Sequence, residues 1–170
     1  KMISHKVAER MFLRLPKHYP QSSRRFLENK MLRGRRLAFD FGDVRIGVAV
    51  CDPDAILATP VTTLKNNDDH LWEQIFELVK EYEPIHVYVG APKHLSGANG
   101  SSMQKAEEFK EQISTRTGIP CSMVDERLST VAAAKQLKDS GMNSRESKAA
   151  IDQAAAVAIL EQAIAIEKRK

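Results

Sequence analysis

Three short β-rich runs follow one another in this chain with no room for a helix between them, and after them the apolar period changes. The runs are Arg36–Phe41, Arg45–Cys51 and Ala58–Leu64, the last carrying the β-branched Val61, Thr62 and Thr63. Gly42 and Asp43 supply a turn between the first two, so these read as a hairpin, and the three together predict an antiparallel meander. Beyond them Leu71, Ile75, Leu78, Val79 and Tyr82 fall on one helical face, and Pro84 ends that helix. Ile85–Val89 reads as a strand closing on Gly90-Ala91-Pro92, and Ser96–Ser102 as a polar loop. Met103–Thr117 follows as a helix with Gly118 as its C-cap, then Ile119–Val124 as a fifth strand. A helix over Leu128–Ser140, a linker over Met142–Lys148 and a long alanine-rich helix over Ala149–Ile166 complete the order βββαβαβαα. That order predicts an α/β fold on a mixed five-stranded sheet.

The net charge of +4 hides an asymmetry. Residues 1–36 carry 11 Lys and Arg against two acids, a net +9, while the other 134 carry 15 against 20, a net −5. A basic N-terminal arm over 1–34 therefore precedes a mildly acidic domain over 35–170. The arm is suited to phosphate contacts, or is a solvated leader. Its Arg-rich start also has the character of an organelle transit segment, with too little serine to favour that reading. Cys51 and Cys121 have no metal-type spacing, which fits a reduced, cytoplasmic compartment and two small buried side chains. No apolar run is read as approaching the ~18 residues of a membrane span.

Three acids stand out by position. Asp40 lies in an otherwise apolar first strand, where an unpaired charge costs several kcal/mol, about 3–5 for a pair broken in a core. Asp125 and Glu126 lie at the C-terminal end of the last strand, the edge where ligands of α/β sheets collect. Asp152 lies on the final helix with Ala155, Ala156 and Ile159 on its own stripe. Each has a plain structural reading: a hairpin-entry residue, a surface partner for Arg127 or Arg45, and an acid at a helix N-terminus. Taken together, they are the set that divalent-metal chemistry needs, since Mg²⁺ and Mn²⁺ prefer hard oxygen ligands.

Four blocks of sequence then carry a resemblance. Residues 35–64, RRLAFDFGDVRIGVAVCDPDAILATPVTTL, residues 87–100, with YVGAPKHLSGANG as their core, residues 124–132, VDERLSTVA, and residues 149–160, AAIDQAAAVAIL, resemble, in order and spacing, the YqgF family. That family is also described as Holliday junction resolvase-like and as pre-16S rRNA nucleases. The resemblance covers residues 35–165 and implies a ribonuclease H-like fold, related to RuvC-type resolvases, with helices on both faces of the sheet. It further implies an acidic metal site for Mg²⁺ or Mn²⁺ formed by Asp40, Glu126 and Asp152, with Asp125 as the rival of Glu126. Arg45 matches the basic residue of the hairpin turn and Arg127 the arginine of the D-E-R block; both are expected on substrate phosphate or orienting the carboxylates. Ser129 stands where Thr is common, Asp43 where a small polar residue is frequent, and the arm lies outside the pattern.

Lys93 and His94 enter the 95–102 loop within reach of a nucleic acid backbone, whereas Trp72, the sole tryptophan, reads as helix packing rather than a base-stacking platform. The function expected is metal-dependent hydrolysis of phosphodiester bonds, in processing of the 5′ end of precursor 16S rRNA. Branched DNA is the alternative substrate, and a non-catalytic nucleic acid-binding ribosome-maturation factor the alternative role. A phosphotransferase of the actin and sugar-kinase superfamily shares a D-x-G hairpin, but it needs a second lobe that 170 residues do not supply.

Overall fold

The computed structural model describes residues 32–91, 100–125 and 145–169. Five strands form one sheet: β1 Arg36–Phe41, β2 Arg45–Cys51, β3 Ala58–Lys65, β4 His86–Ala91 and β5 Cys121–Asp125. Three helices are described: α1 Leu71–Tyr82, α2 Gly100–Thr117 and α3 Arg145–Glu167. The strand order is β3-β2-β1-β4-β5, with β1/β2 and β2/β3 antiparallel and β1/β4 and β4/β5 parallel. The meander and the mixed sheet are thus as expected, while the helix expected over 128–140 lies outside the described residues.

Strand alternation sorts the sheet into two faces. Leu37, Phe39, Ile46, Val48, Val50, Val87 and Val89 join Ile75 and Leu78 of α1 and Ala106, Phe109 and Ile113 of α2 in one buried cluster. Phe109 is its hinge-pin, edge-on to Phe39 at 5.7 Å and 4.9 Å from Phe41. Trp72 packs on the same ring at 6.0 Å, with the Arg116 guanidinium 4.3 Å above the indole, so it is a packing residue as expected. The other face is covered by α3, which packs across β1, β2 and β3. Here the sheet offers small residues, and the helix answers with Ala155, Ala156, Ala158 and Ala163, all buried.

Several boundaries move for identifiable reasons. β4 and β5 each sit one or two residues later than expected, because their parallel pairing runs Val87↔Cys121 to Ala91↔Asp125. α2 starts at Gly100, so Ser101 and Ser102 lie inside its first turn rather than in a loop. α3 starts at Arg145 and takes in much of the expected linker. Gly118 caps α2 as expected, at φ 71° with its N–H donating to Ser114 O at 2.9 Å.

One expectation needs correcting. Lys148–Glu167 is long and apolar enough to pass for a membrane span, with a mean hydropathy of 1.5. Its apolar side is spent on the sheet, 56% of that stretch being buried, which is the behaviour of a core helix. The end of α3 is fastened by charge. Arg36, only 3% exposed, donates to Glu167 Oε2 at 2.7 Å and to Gly34 O at 2.7 Å, and the Tyr88 hydroxyl donates to Glu167 as well. Burial, and then the Glu167 carboxylate, push the Tyr88 hydroxyl far above its usual range.

Candidate active site

Asp40 is the penultimate residue of β1, on the α3 face by alternation with the core-facing Phe39 and Phe41. Its cross-strand partner is Gly47 of β2, and the partner of Gly47 is Thr63 of β3. Helix α3 crosses this row. A Cβ on Gly47 would lie 2.0 Å from the Asp152 carbonyl oxygen and 3.1 Å from the Gln153 nitrogen, so only glycine admits the helix backbone here. The Thr63 hydroxyl donates to Ala149 O at 3.1 Å and accepts from Gln153 Nε2 at 3.4 Å. Asp152 is thereby set over the strand next to Asp40.

The Asp152 carboxylate is 3% exposed, and Arg45 Nε donates to its Oδ2 at 2.5 Å. Arg45 opens β2 two residues before Gly47 and so shares its face; its side chain is 29% exposed. A carboxylate so buried needs a cation or several donors, and the guanidinium supplies the cation. Just outside, the hairpin turn is held by Asn66, whose Nδ2 donates to Gly42 O at 2.7 Å and whose backbone N–H donates to Val44 O. Asp43 pairs with Lys105 of α2 at 2.7 Å, so its charge is answered by an exposed lysine.

The parallel strands bring further groups to the same edge. Phe39 is level with Val89, and Val89 with Met123. Asp40 thus lies one residue, and Asp125 two residues, beyond a common level, both at the C-terminal ends of their strands. Glu126, Arg127, Lys93, His94, Ser129 and Thr130 lie outside the described residues. Among the described residues no three acidic, histidine or cysteine side chains come together as a metal-holding set. Asp152 is seated at Gly47, the cross-strand partner of Asp40, and is paired with Arg45. The two acids offer hard carboxylate oxygens, one of them buried and charge-compensated, a donor type that suits Mg²⁺ or Mn²⁺. Gly47 and Thr63 were not singled out from sequence; an isolated glycine inside a β-branched strand is the signal that points to such a close approach.

The cysteines are not part of this site. Both are free, and burial pushes the Cys121 thiol up to about 12 and raises Cys51 too. His86, on β4 beside Arg36, is held below its usual range by burial, and its Nε2 lies 2.9 Å from Ser122 Oγ.

A mixed sheet of order β3-β2-β1-β4-β5 with a helix laid over the meander is a ribonuclease H-like fold. Thermus thermophilus RuvC, solved with a Holliday junction substrate, superposes with a TM-score of 0.52 over 78% of this chain and 94% of that one at 12% identity, which is a likeness of fold. The chain belongs to the RuvX family, described as Holliday junction resolvase, whose model matches residues 34–166 and which is the family the four sequence blocks resemble. It is 48% identical over 141 residues to a Streptomyces coelicolor protein named "Putative pre-16S rRNA nuclease", covering 82% of this chain and 84% of that one. A Streptomyces avermitilis protein of the same name is 46% identical over 140 residues, covering 81% and 90%.

Proposed function

We propose that this protein is a cytoplasmic, divalent-metal-dependent nuclease that hydrolyses phosphodiester bonds of precursor 16S rRNA near its 5′ end. The observation that carries the reading is the seating of Asp152 on Gly47, the cross-strand partner of Asp40, with Arg45 paired to Asp152. Asp40, Asp152 and Glu126 would hold Mg²⁺ or Mn²⁺, which when bound supplies activation of a water and charge neutralisation at the phosphate. Asp125 is the alternative to Glu126 as the third ligand. Arg45 and Arg127 are suited to fork onto phosphate oxygens, which lysine cannot do. Lys93 would add a positive charge for phosphate contact.

The basic segment 1–34 is proposed as an accessory arm on the nuclease domain 35–170. Its removal should weaken nucleic acid binding and flatten its salt dependence, read as the slope of log affinity against log salt. Branched DNA remains the second substrate, favoured by the Holliday junction resolvase description of the family. The test is purified protein with Mn²⁺ or Mg²⁺ against a labelled four-way junction, single-stranded RNA and a precursor rRNA 5′ leader. Metal-dependent cleavage of the leader in preference to the junction is the expected result. Cleavage of none of the three with either metal overturns the reading.

A further inference from the structure

We propose that Gly47 and Thr63 are positioning residues that set the height and register of α3 on the sheet, and so the place of the Asp152 carboxylate relative to Asp40. The inference rests on the metal-site reading above and deepens it. Asp40, Gly47 and Thr63 form one row across β1, β2 and β3, with neighbouring strands ~4.8 Å apart. The helix is tied to two members of that row by its backbone. Its Asp152 carbonyl lies against Gly47, where a Cβ would sit 2.0 Å away, and its Ala149 carbonyl accepts the Thr63 hydroxyl at 3.1 Å. The first contact fixes how close the helix comes, and the second fixes where along its axis it stops. Ala149 precedes Asp152 by three residues, nearly one turn, so both contacts lie on the same side of α3. Because Asp152 makes the first contact with its own backbone, any lift or slide of the helix moves its carboxylate directly. Nothing flexible can absorb a methyl at position 47, since the obstructing atoms are helix backbone.

The experiment measures thermal stability in EDTA and across a Mn²⁺ titration for wild type, Gly47→Ala, Thr63→Val, Thr63→Ser and Asp152→Asn. A merely structural role would lower melting temperature in EDTA and leave the Mn²⁺ concentration for half-maximal stabilisation unchanged. The positioning role predicts that this concentration rises at least about tenfold in Gly47→Ala and about threefold in Thr63→Val, while Thr63→Ser, which keeps the hydroxyl, stays at the wild-type value. Should Gly47→Ala fail to fold, the Thr63 pair decides alone. The inference is overturned if Asp152→Asn loses the Mn²⁺ response but folded Gly47→Ala and Thr63→Val titrate like wild type. If Asp152→Asn titrates like wild type, the metal reading itself falls and takes this inference with it.

Discussion

On the side covered by α1 and α2, the sheet presents Leu37, Phe39, Ile46, Val48 and Val87, all fully buried. On the side covered by α3, the same strands present Ala38, Asp40, Gly47, Ala49 and Thr63. The first face gains its stability from area: large side chains interlock with Phe109, Ile113 and Ile75, each worth about 1.5–3 kcal/mol of transfer energy. On the second face α3 also buries Ile159 and Leu160, but small sheet residues let backbone approach backbone at Gly47. That closeness allows a helix to deliver an acid to within one strand of Asp40. Its cost is polar burial, and each buried charge on this face is matched, Asp152 by Arg45 and Arg36 by Glu167. The sheet thus separates a face that holds the fold from the face proposed to hold the chemistry.

The largest expected effect belongs to the second face. Asp40→Asn and Asp152→Asn should each lower metal-dependent cleavage at least about a thousandfold, some 4 kcal/mol of barrier, with nucleic acid binding kept. An Asp152→Asn protein with wild-type turnover would erase the contrast between the faces. On the first face, Phe109→Ala should cost about 3 kcal/mol of stability, the low end for such a cavity because neighbouring Trp72 is only partly buried and can close in. Its turnover per folded molecule should be unchanged, as urea denaturation and active-fraction assays run together will show. A parallel loss of turnover would mean that the two faces are coupled.

The far end of α3 offers an intermediate case. Glu167→Gln keeps shape but leaves the buried Arg36 guanidinium without its counter-charge. Glu167 is 22% exposed and water can partly replace it, so a loss of about 2 kcal/mol is expected rather than the full cost of breaking a buried pair. Denaturant midpoints of wild type and variant measure it.

The smallest effect is a pH dependence. Burial holds the His86 pKa below its ordinary value of 6.5, so the unfolded chain takes up the proton first as pH falls. Stability should therefore decline as pH falls through 6.5 toward the lowered value, then stop changing. His70, exposed on the approach to α1, has its pKa raised by Glu73 and works in the opposite sense. Melting temperatures of His86→Gln and His70→Gln between pH 8 and 5 should accordingly tilt in opposite directions from wild type. Parallel curves for all three proteins would show that neither histidine feels its surroundings.

Local pattern was enough to place most elements. β1 and β2 fall at Arg36–Phe41 and Arg45–Cys51 as expected, because a hairpin with a short connection, here Gly42, Asp43 and Val44, is specified by neighbours in sequence. α1 ends where Pro84 requires, with Glu83 at φ 45°. Asp40 and Asp152 were legible as acids in apolar settings, and the family as four spaced blocks. The seating of Asp152 on the strand beside Asp40 was not legible, nor was the pairing of Arg45 with Asp152 across 107 residues. The apolar length of α3 was misread for a related reason. Alanine contributes hydropathy without declaring whether lipid or a sheet lies opposite, and only the close approach at Gly47 answers that. Sequence by itself determined the order of strands and helices, the acidic residue types and the family, since these depend on periodicity and identity over short spans. The tertiary structure decided which residues share a face, how near α3 comes and which cation answers Asp152, since those depend on contacts between segments whose spacing no local pattern encodes.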